Sequence, residues 1–166
     1  MRKVMMPLFA LLALAACQTV REPVRSAFTQ QQVAALAGNG FSPAGDNWEL
    51  GMADRLLFAT DEAVLPPSRQ QGLGRMVSAL VGVGIHGAEV QGHTDSVGAA
   101  RYNDALSRRR AQAVAAAMAG GGMDSGAIRV VGMGQRDPVE DNATAQGRKE
   151  NRRVVILVTP ADAMVP

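Results

Sequence analysis

The 166-residue chain has few aromatic residues and only one cysteine. Aromatic side chains make up 4% of the sequence, so a hydrophobic core has to be built from Leu, Val, Ile, Met and Ala. Because Cys17 is the only cysteine, no disulfide can form within the chain. A free thiol is a liability in an oxidising compartment, so the position of Cys17 needs an explanation of its own.

The sequence also lacks a strongly basic segment. Its formal net charge is +2, but Arg2 and Lys3 lie at the extreme N-terminus. The other 15 basic residues balance the 15 acidic ones. No stretch is basic enough to follow a phosphate backbone, so the composition predicts that nucleic acid is not a partner.

The N-terminus has the pattern of an export signal over residues 1–16. Arg2 and Lys3 precede an apolar stretch over 4–14, which is well short of the ~20 residues that span a bilayer. The sequence Leu14-Ala15-Ala16-Cys17 resembles the bacterial lipobox, which predicts that Cys17 is lipidated; an ordinary cleavage site is the alternative. Several acyl chains, at about 0.8 kcal/mol per buried methylene, would anchor the protein. By resemblance to known lipoprotein sorting patterns, the presence of Gln18 rather than Asp after the cysteine favours the outer membrane, facing the periplasm.

Four segments follow from the patterning. After the signal peptide, residues 17–46 are predicted to hold the lipidated N-terminus, a linker and a short helix, residues 47–160 the folded domain, and residues 161–166 a C-terminal tail. Thr29 and Gln32 form a capping-box pattern for the short helix at about 30–37. That helix is too short to be stable alone, so we expect it to dock on the domain.

Apolar periodicity predicts alternating strands and helices. Strands are expected at 48–52, 89–91, 128–133 and 154–158, the last suited to the centre of a sheet, with 55–58 also extended. Helices are expected from Pro66–Ser68 to about residue 81 and over 100–118, with one helical turn before Asn151. This alternation predicts an α/β (α+β) sandwich of helices on a sheet.

The most specific pattern is a loop followed by a helix. Asp95 lies in the loop after a strand, and Asn103, Leu106 and Arg110 lie on one face of the next helix. Because helical side chains lean towards the N-terminus, Arg110 can reach towards Asp95. An ammonium on the carboxylate and a carboxylate on the guanidinium would suit a dipolar ligand. A purely structural ion pair between loop and helix is the alternative.

These motifs, Gly92-His93-Thr94-Asp95, Leu106-Ser107-Arg108-Arg109-Arg110 and Asn151-Arg152-Arg153-Val154, resemble the OmpA-like (OmpA C-terminal) peptidoglycan-binding domain over about 58–158. The resemblance implies a βαβαβ core with a mixed sheet and helices packed on one face. It also implies non-covalent binding of peptidoglycan through meso-diaminopimelate, linking outer membrane to cell wall. The residues it implicates are Asp95 and Arg110 on the amino-acid head, Thr94, Asn103 and Leu106 as walls, and Arg153 as a further contact or a brace.

A narrower resemblance points to signalling. The segments 32–41, 48–51 and 53–58 resemble the small outer-membrane lipoprotein of the Yfi signalling system, whose anchored domain sequesters a periplasmic inhibitor of a membrane diguanylate cyclase. It implies a periplasmic protein partner, captured by the 29–41 segment or the first-strand surface.

Enzyme chemistry finds little support in the sequence. The serines lack a G-x-S-x-G elbow and a base partner. His93 and Asp95 have no third ligand for a metal, and Gly132-Met133-Gly134 fits a turn or close packing better than a dinucleotide site. Arg108 and Arg109 are expected to be solvated. The sequence therefore predicts a binding module without a cofactor or metal.

Overall fold

The computed structural model describes residues 27–58 and 62–164. The predicted signal peptide, the predicted lipidation site Cys17 and most of the predicted linker lie outside the described residues. Within the described part, no helix is both long enough and apolar enough to cross a membrane.

A five-stranded mixed sheet forms the centre of the fold. Its strands are β1 (Ser42–Ala44), β2 (Asn47–Ala53), β3 (Ala88–His93), β4 (Ile128–Gly134) and β5 (Arg153–Val158), in the spatial order β1-β2-β5-β3-β4. Only β3 and β4 are parallel, and the other neighbours are antiparallel. The mixed sheet and the central position of β5 confirm the sequence-based expectation.

Helices connect the strands. They are α1 (Gln30–Gly38), α2 (Asp54–Leu57), α3 (Pro67–Val81), α4 (Ala100–Gly120) and α5 (Ala145–Asn151). The bounds of α3 and α4 agree closely with the predicted helices, and α5 is the expected helical turn before Asn151. The apolar stripe of α3 is buried, as its 3.6-residue period requires, at Leu73, Met76, Val77 and Leu80.

The core lies between the sheet and its helices. On β5, Val154, Ile156 and Val158 are fully buried while the residues between them are only half-buried, so one face of the sheet is covered. Val114 and Met118 of α4 have no exposed surface in this core. Packing by helices on one sheet face is therefore confirmed.

The N-terminal and C-terminal segments pack against the same core. The capping box of α1 is present, since the Gln32 backbone N–H donates to Thr29 Oγ1 at 3.2 Å and the Thr29 N–H donates to Gln32 Oε1 at 2.9 Å. Leu36 is fully buried, and Gln32 Nε2 donates to the Ala163 carbonyl at 3.1 Å. The short helix thus docks on the domain, as its length predicts.

One local prediction is wrong. Residues 55–57 are not an extended continuation of β2, because Asp54–Leu57 form the helical turn α2; Phe58 is extended, and its N–H closes the turn by donating to the Asp54 carbonyl at 2.9 Å. Leu57 is buried whereas Leu56 is 51% exposed. This turn carries the Asp54 side chain towards α4, so a tertiary contact outweighs the local pattern.

Candidate ligand-binding cleft

A cleft of about 840 Å³ opens where β3 ends. Its walls come from α2, the loop after β3, α4 and α5, and its lining residues are Asp54, Arg55, Phe58, Thr94, Asp95, Val97, Gly98, Tyr102, Asn103, Leu106, Arg110, Arg148, Lys149 and Arg152. A volume of this size suits a ligand larger than a single amino-acid head.

Glycines set the position of α4 against the sheet. A Cβ on Gly92 would lie 2.0 Å from the Ser107 carbonyl oxygen, and one on Gly132 would lie 2.8 Å from the Arg108 Cβ. The Gly134 N–H donates to Ser107 Oγ at 3.0 Å. The glycines thus allow the α4 backbone to lie directly on β3 and β4, which fixes where its cleft residues project. Close packing at 132–134 is therefore confirmed.

The loop after β3 is held in one conformation around Asp95. The Val97 N–H donates to Asp95 Oδ1 at 3.0 Å, and Arg152 Nη1 donates to Asp95 Oδ2. Asn103 Nδ2 donates to the carbonyls of Asp95 at 3.2 Å and Val97 at 3.0 Å. Thr94 Oγ1 donates to the Asp95 carbonyl at 3.0 Å. These bonds order the carboxylate before any ligand arrives.

Arg110 is held from the opposite wall. Its Nε donates to the Glu62 carbonyl at 3.0 Å and lies 3.1 Å from Asp54 Oδ1, and its guanidinium carbon is 5.3 Å from the centre of the Phe58 ring. Neither terminal nitrogen, Nη1 or Nη2, hydrogen-bonds to a described residue. Among the described residues, the guanidinium is therefore held through its Nε edge.

A buried asparagine supports the cleft from behind. Asn151, at the end of α5, has no exposed surface; its Oδ1 accepts from the N–H groups of Val139 and Glu140, and its Nδ2 donates to Asn142 Oδ1 at 3.0 Å. Asn142 Oδ1 also accepts from the Ser96 N–H at 3.1 Å. This chain of bonds ties the 139–142 loop to the loop that carries Asp95.

The structure brings five of the predicted binding residues into this one cleft. They are Thr94, Asp95, Asn103, Leu106 and Arg110, all of them at least 90% buried. Asp95 and Arg110 do not form an ion pair with each other, since Asp95 pairs with Arg152 and Arg110 with Asp54. The alternative that Asp95 and Arg110 form a structural ion pair between loop and helix is therefore wrong. Arg108 and Arg109 are exposed, as expected.

Arg153, the sixth predicted residue, lies outside the cleft. Its Nη2 donates to the Asp137 carbonyl at 3.2 Å on the uncovered side of the sheet, an arrangement that fits a brace and not a contact in this cleft. Arg152 lines the cleft instead. The sequence contains a signal for the position of Arg152. Side chains along a strand alternate between the two faces of the sheet, so position 152 falls on the same face as Val154 and Ile156, which face the helices, and Arg153 falls on the opposite face.

His93 lies behind the cleft as a buried neutral group. Its side chain is 1% exposed, and neither ring nitrogen hydrogen-bonds to a residue that the structure describes, although Nδ1 lies 4.0 Å from Asp137 Oδ2. Burial, together with the nearby Arg153 guanidinium, lowers the pKa of His93 to about 4, while Asp137 opposes this shift. No group of three or more potential metal ligands occurs among the described residues.

The fold and the cleft define a class of protein, a small α/β binding domain with a polar cleft at the end of a mixed sheet. The chain belongs to the OmpA family, whose profile matches residues 57–152. It is 41% identical to outer-membrane lipoprotein YfiB of Pseudomonas aeruginosa over 162 residues, covering 97% of this chain and 95% of that protein. It is 40% identical to lipoprotein YfiB of Escherichia coli, covering 91% and 92%.

A solved structure extends the comparison to the fold. The cell wall anchor of the T6SS from Pseudomonas aeruginosa superimposes with a TM-score of 0.65 at 32% identity, covering 77% of this chain and 96% of that one. Both relatives of nearly equal length are named as lipoproteins, and the one from Pseudomonas aeruginosa as an outer-membrane lipoprotein, so the chain belongs among the outer-membrane lipoproteins of the family.

Proposed function

We propose that the cleft binds peptidoglycan non-covalently through the diaminopimelate of the stem peptide. The ammonium is accepted by Asp95 and the carboxylate by the terminal nitrogens of Arg110, while Thr94, Asn103 and Leu106 form the walls. The observation that carries this proposal is that an ordered carboxylate and an ordered guanidinium line one cleft without neutralising each other. The solved structural relative is a cell wall anchor, which supports the same ligand.

The membrane anchor in this proposal is Cys17, which the lipobox pattern predicts to be lipidated. The lipoprotein names of the two relatives support this assignment, and one of the two names specifies the outer membrane. The protein then links the outer membrane to the cell wall without catalysing a reaction. The described cleft lining contains no Ser, Cys or His that could form a nucleophile–base pair. Release of soluble muropeptides from cell walls by the purified protein would overturn the non-catalytic assignment.

The test is a cell-wall pull-down with matched variants. Asp95→Asn and Arg110→Met each remove one charge from the cleft, and we expect each to weaken binding about tenfold or more, since charge-assisted bonds are lost. Arg109→Gln removes a charge from the exposed side of α4 and is the control. Undiminished binding by both folded cleft variants would reject the site.

A second candidate function is favoured by the 41% identity to YfiB along almost the whole chain. In this alternative the protein is an envelope signalling lipoprotein that sequesters a periplasmic inhibitor of a diguanylate cyclase. Because Phe28, Leu36 and Phe41 are buried in the domain's own core, the 29–41 segment would have to present its exposed face, which includes Gln31, Ala34 and Ala37.

Surface substitutions test this candidate better than truncation, since removing 22–40 would also remove core residues. Ala34→Arg with Ala37→Arg changes the exposed face of α1 and leaves Leu36 in place. Loss of a crosslinked periplasmic partner, with an altered cyclic-di-GMP level, is the expected result. An unchanged partner list and nucleotide level would remove the support for α1 as the capture surface.

A further inference from the structure

The charges that line the cleft do not balance. Among the described residues, the lining contains two carboxylates, Asp54 and Asp95, and five cations, Arg55, Arg110, Arg148, Lys149 and Arg152. Asp54 pairs with Arg110 and Asp95 with Arg152. Arg55, Arg148 and Lys149 form no ion pair with any described residue, so the described lining has an excess of three positive charges.

Arg148 is the best ordered of the three. It is half-buried, and its Nη1 donates to the carbonyls of Asn142 at 2.9 Å and Ala143 at 3.1 Å. Those partners are neutral, so they fix the position of the guanidinium without cancelling its charge. Lys149 follows it, and Arg152 lies one turn further along, because the Arg152 N–H donates to the Arg148 carbonyl at 3.2 Å.

Arg55 lies on α2, close to the cations Arg148, Lys149 and Arg152 at the end of α5. The Asp54 N–H donates to the Arg152 carbonyl at 2.9 Å, so α2 begins directly beside the end of α5. The cations of the two helices therefore border one continuous part of the cleft. Like charges held together in this way repel one another unless an anion lies between them, and a cleft lined by one sign of charge attracts ligands of the opposite sign.

Diaminopimelate alone does not match this excess. Its head in an uncrosslinked stem offers one ammonium and one carboxylate, which the Asp95 and Arg110 sites would use. A stem peptide has further carboxylates beside it: the free α-carboxylate of the γ-linked glutamate that precedes diaminopimelate, and the terminal carboxylate of an alanine that follows. The cleft volume of about 840 Å³ leaves room for these neighbours.

We propose that the cleft selects stem peptides by a second carboxylate next to diaminopimelate, bound by Arg148 and Lys149 with Arg55 adding to the field. This inference rests on the proposed function and deepens it, since it names which form of the wall is bound. Stems in which that carboxylate is amidated bind more weakly.

Calorimetry on the full chain in detergent micelles tests the inference with ligands of graded charge. They are free diaminopimelate, the tripeptide Ala-γ-Glu-diaminopimelate, the same tripeptide with the glutamate α-carboxyl amidated, and the tetrapeptide ending in alanine with its terminus free or amidated. Amidation of the carboxylate that is bound is expected to weaken binding about fivefold, because it removes one partly exposed charge pair. The position at which amidation has this effect identifies which carboxylate is bound.

Variants locate the effect on the protein. Lys149→Gln alone, and Arg148→Gln with Lys149→Gln, should bring the affinities for the free and amidated peptides together while leaving free diaminopimelate within about twofold. Arg109→Gln should leave the ratio unchanged. If amidation has no effect at both positions while diaminopimelate still binds, the inference is overturned and the proposed function stands. If diaminopimelate itself does not bind, the proposed function fails and the inference with it.

Discussion

Arg110 and Asp54 form a nearly buried ion pair at the wall of the cleft. The side chains are 4% and 13% exposed, and Nε lies 3.1 Å from Oδ1. Two charges taken out of water gain from each other only when their geometry is good, and removal of one partner leaves the other desolvated. Arg110 is therefore both a proposed ligand contact and part of the structure that orients it, and substitutions must separate these two roles.

The first prediction separates them. Arg110→Met takes the cationic partner away from Asp54 and is expected to lower the free energy of unfolding by about 2 kcal/mol. Adding Asp54→Asn removes the desolvated charge and should recover about half of that loss. Neither variant should bind diaminopimelate. Chemical denaturation and calorimetry measure the two properties. Full ligand affinity in the double variant would show that Arg110 acts only through the stability of the domain.

The second prediction concerns the approach of α4 to the sheet. Gly92→Ala would place a Cβ 2.0 Å from the Ser107 carbonyl oxygen, so α4 has to move away from β3. We expect a loss of about 3 kcal/mol in the free energy of unfolding and weaker ligand binding, because Asn103 and Arg110 move with the helix. Denaturant unfolding and a diaminopimelate titration measure these effects.

The matched control is Gly51→Ala in β2, which β5 separates from β3 and where a Cβ meets nothing within 4 Å. It should leave stability unchanged or raise it by up to about 1 kcal/mol. Equal stability of the two alanine variants would contradict the account of α4 packing given above.

The third prediction is an acid sensitivity at His93. The folded-state pKa of about 4 lies below the ordinary value of 6.5, so between these pH values the unfolded chain binds a proton that the folded chain does not. The free energy of unfolding therefore falls as the pH falls from 6.5 to 4, by about 3 kcal/mol in total. His93→Gln cannot be protonated and should show a correspondingly smaller loss over this interval.

The matched control for that measurement is His86→Gln, which removes the other histidine of the chain from an exposed site. Unfolding curves at several pH values between 4 and 7 give the comparison. If His93→Gln lost as much stability on acidification as the wild type and the control, burial of a neutral His93 would not account for the acid response.

The sequence predicts the fold more fully than it predicts the details of the cleft. The stripe on α3 and the apolar run of β5 each have one strong periodicity, so their structures followed from local pattern. Asp95 and Arg110 could be placed in one site because their spacing across a loop and helix limits their separation. Their partners could not, because Asp54 is 56 positions before Arg110 and Arg152 is 57 after Asp95, and only the folded sheet brings these segments together.

The α2 turn illustrates the same limit. Leu56 and Leu57 are compatible with a strand or a helical turn, and no local signal distinguishes them over four residues. The helical turn is favoured by the contact of Asp54 with Arg110, which pattern analysis does not include. For Arg152 the sequence does contain a usable signal, because position 152 continues the alternation of Val154 and Ile156, which face the helices.

The last prediction concerns Asn151, whose hydrogen bonds extend through Asn142 to the loop of Asp95. Asn151→Ala removes a fully buried amide and leaves the Val139 and Glu140 N–H groups without their acceptor, so we expect a loss of about 3 kcal/mol in the free energy of unfolding. Asn142→Ala removes only the outer link to Ser96 and Asn151, and should cost about 1 kcal/mol while still lowering diaminopimelate affinity several-fold, because the Asp95 loop is less ordered. Calorimetry at a temperature where both variants are folded measures the affinity. Wild-type affinity in Asn142→Ala would mean that the carboxylate is positioned by Arg152 and Val97 alone.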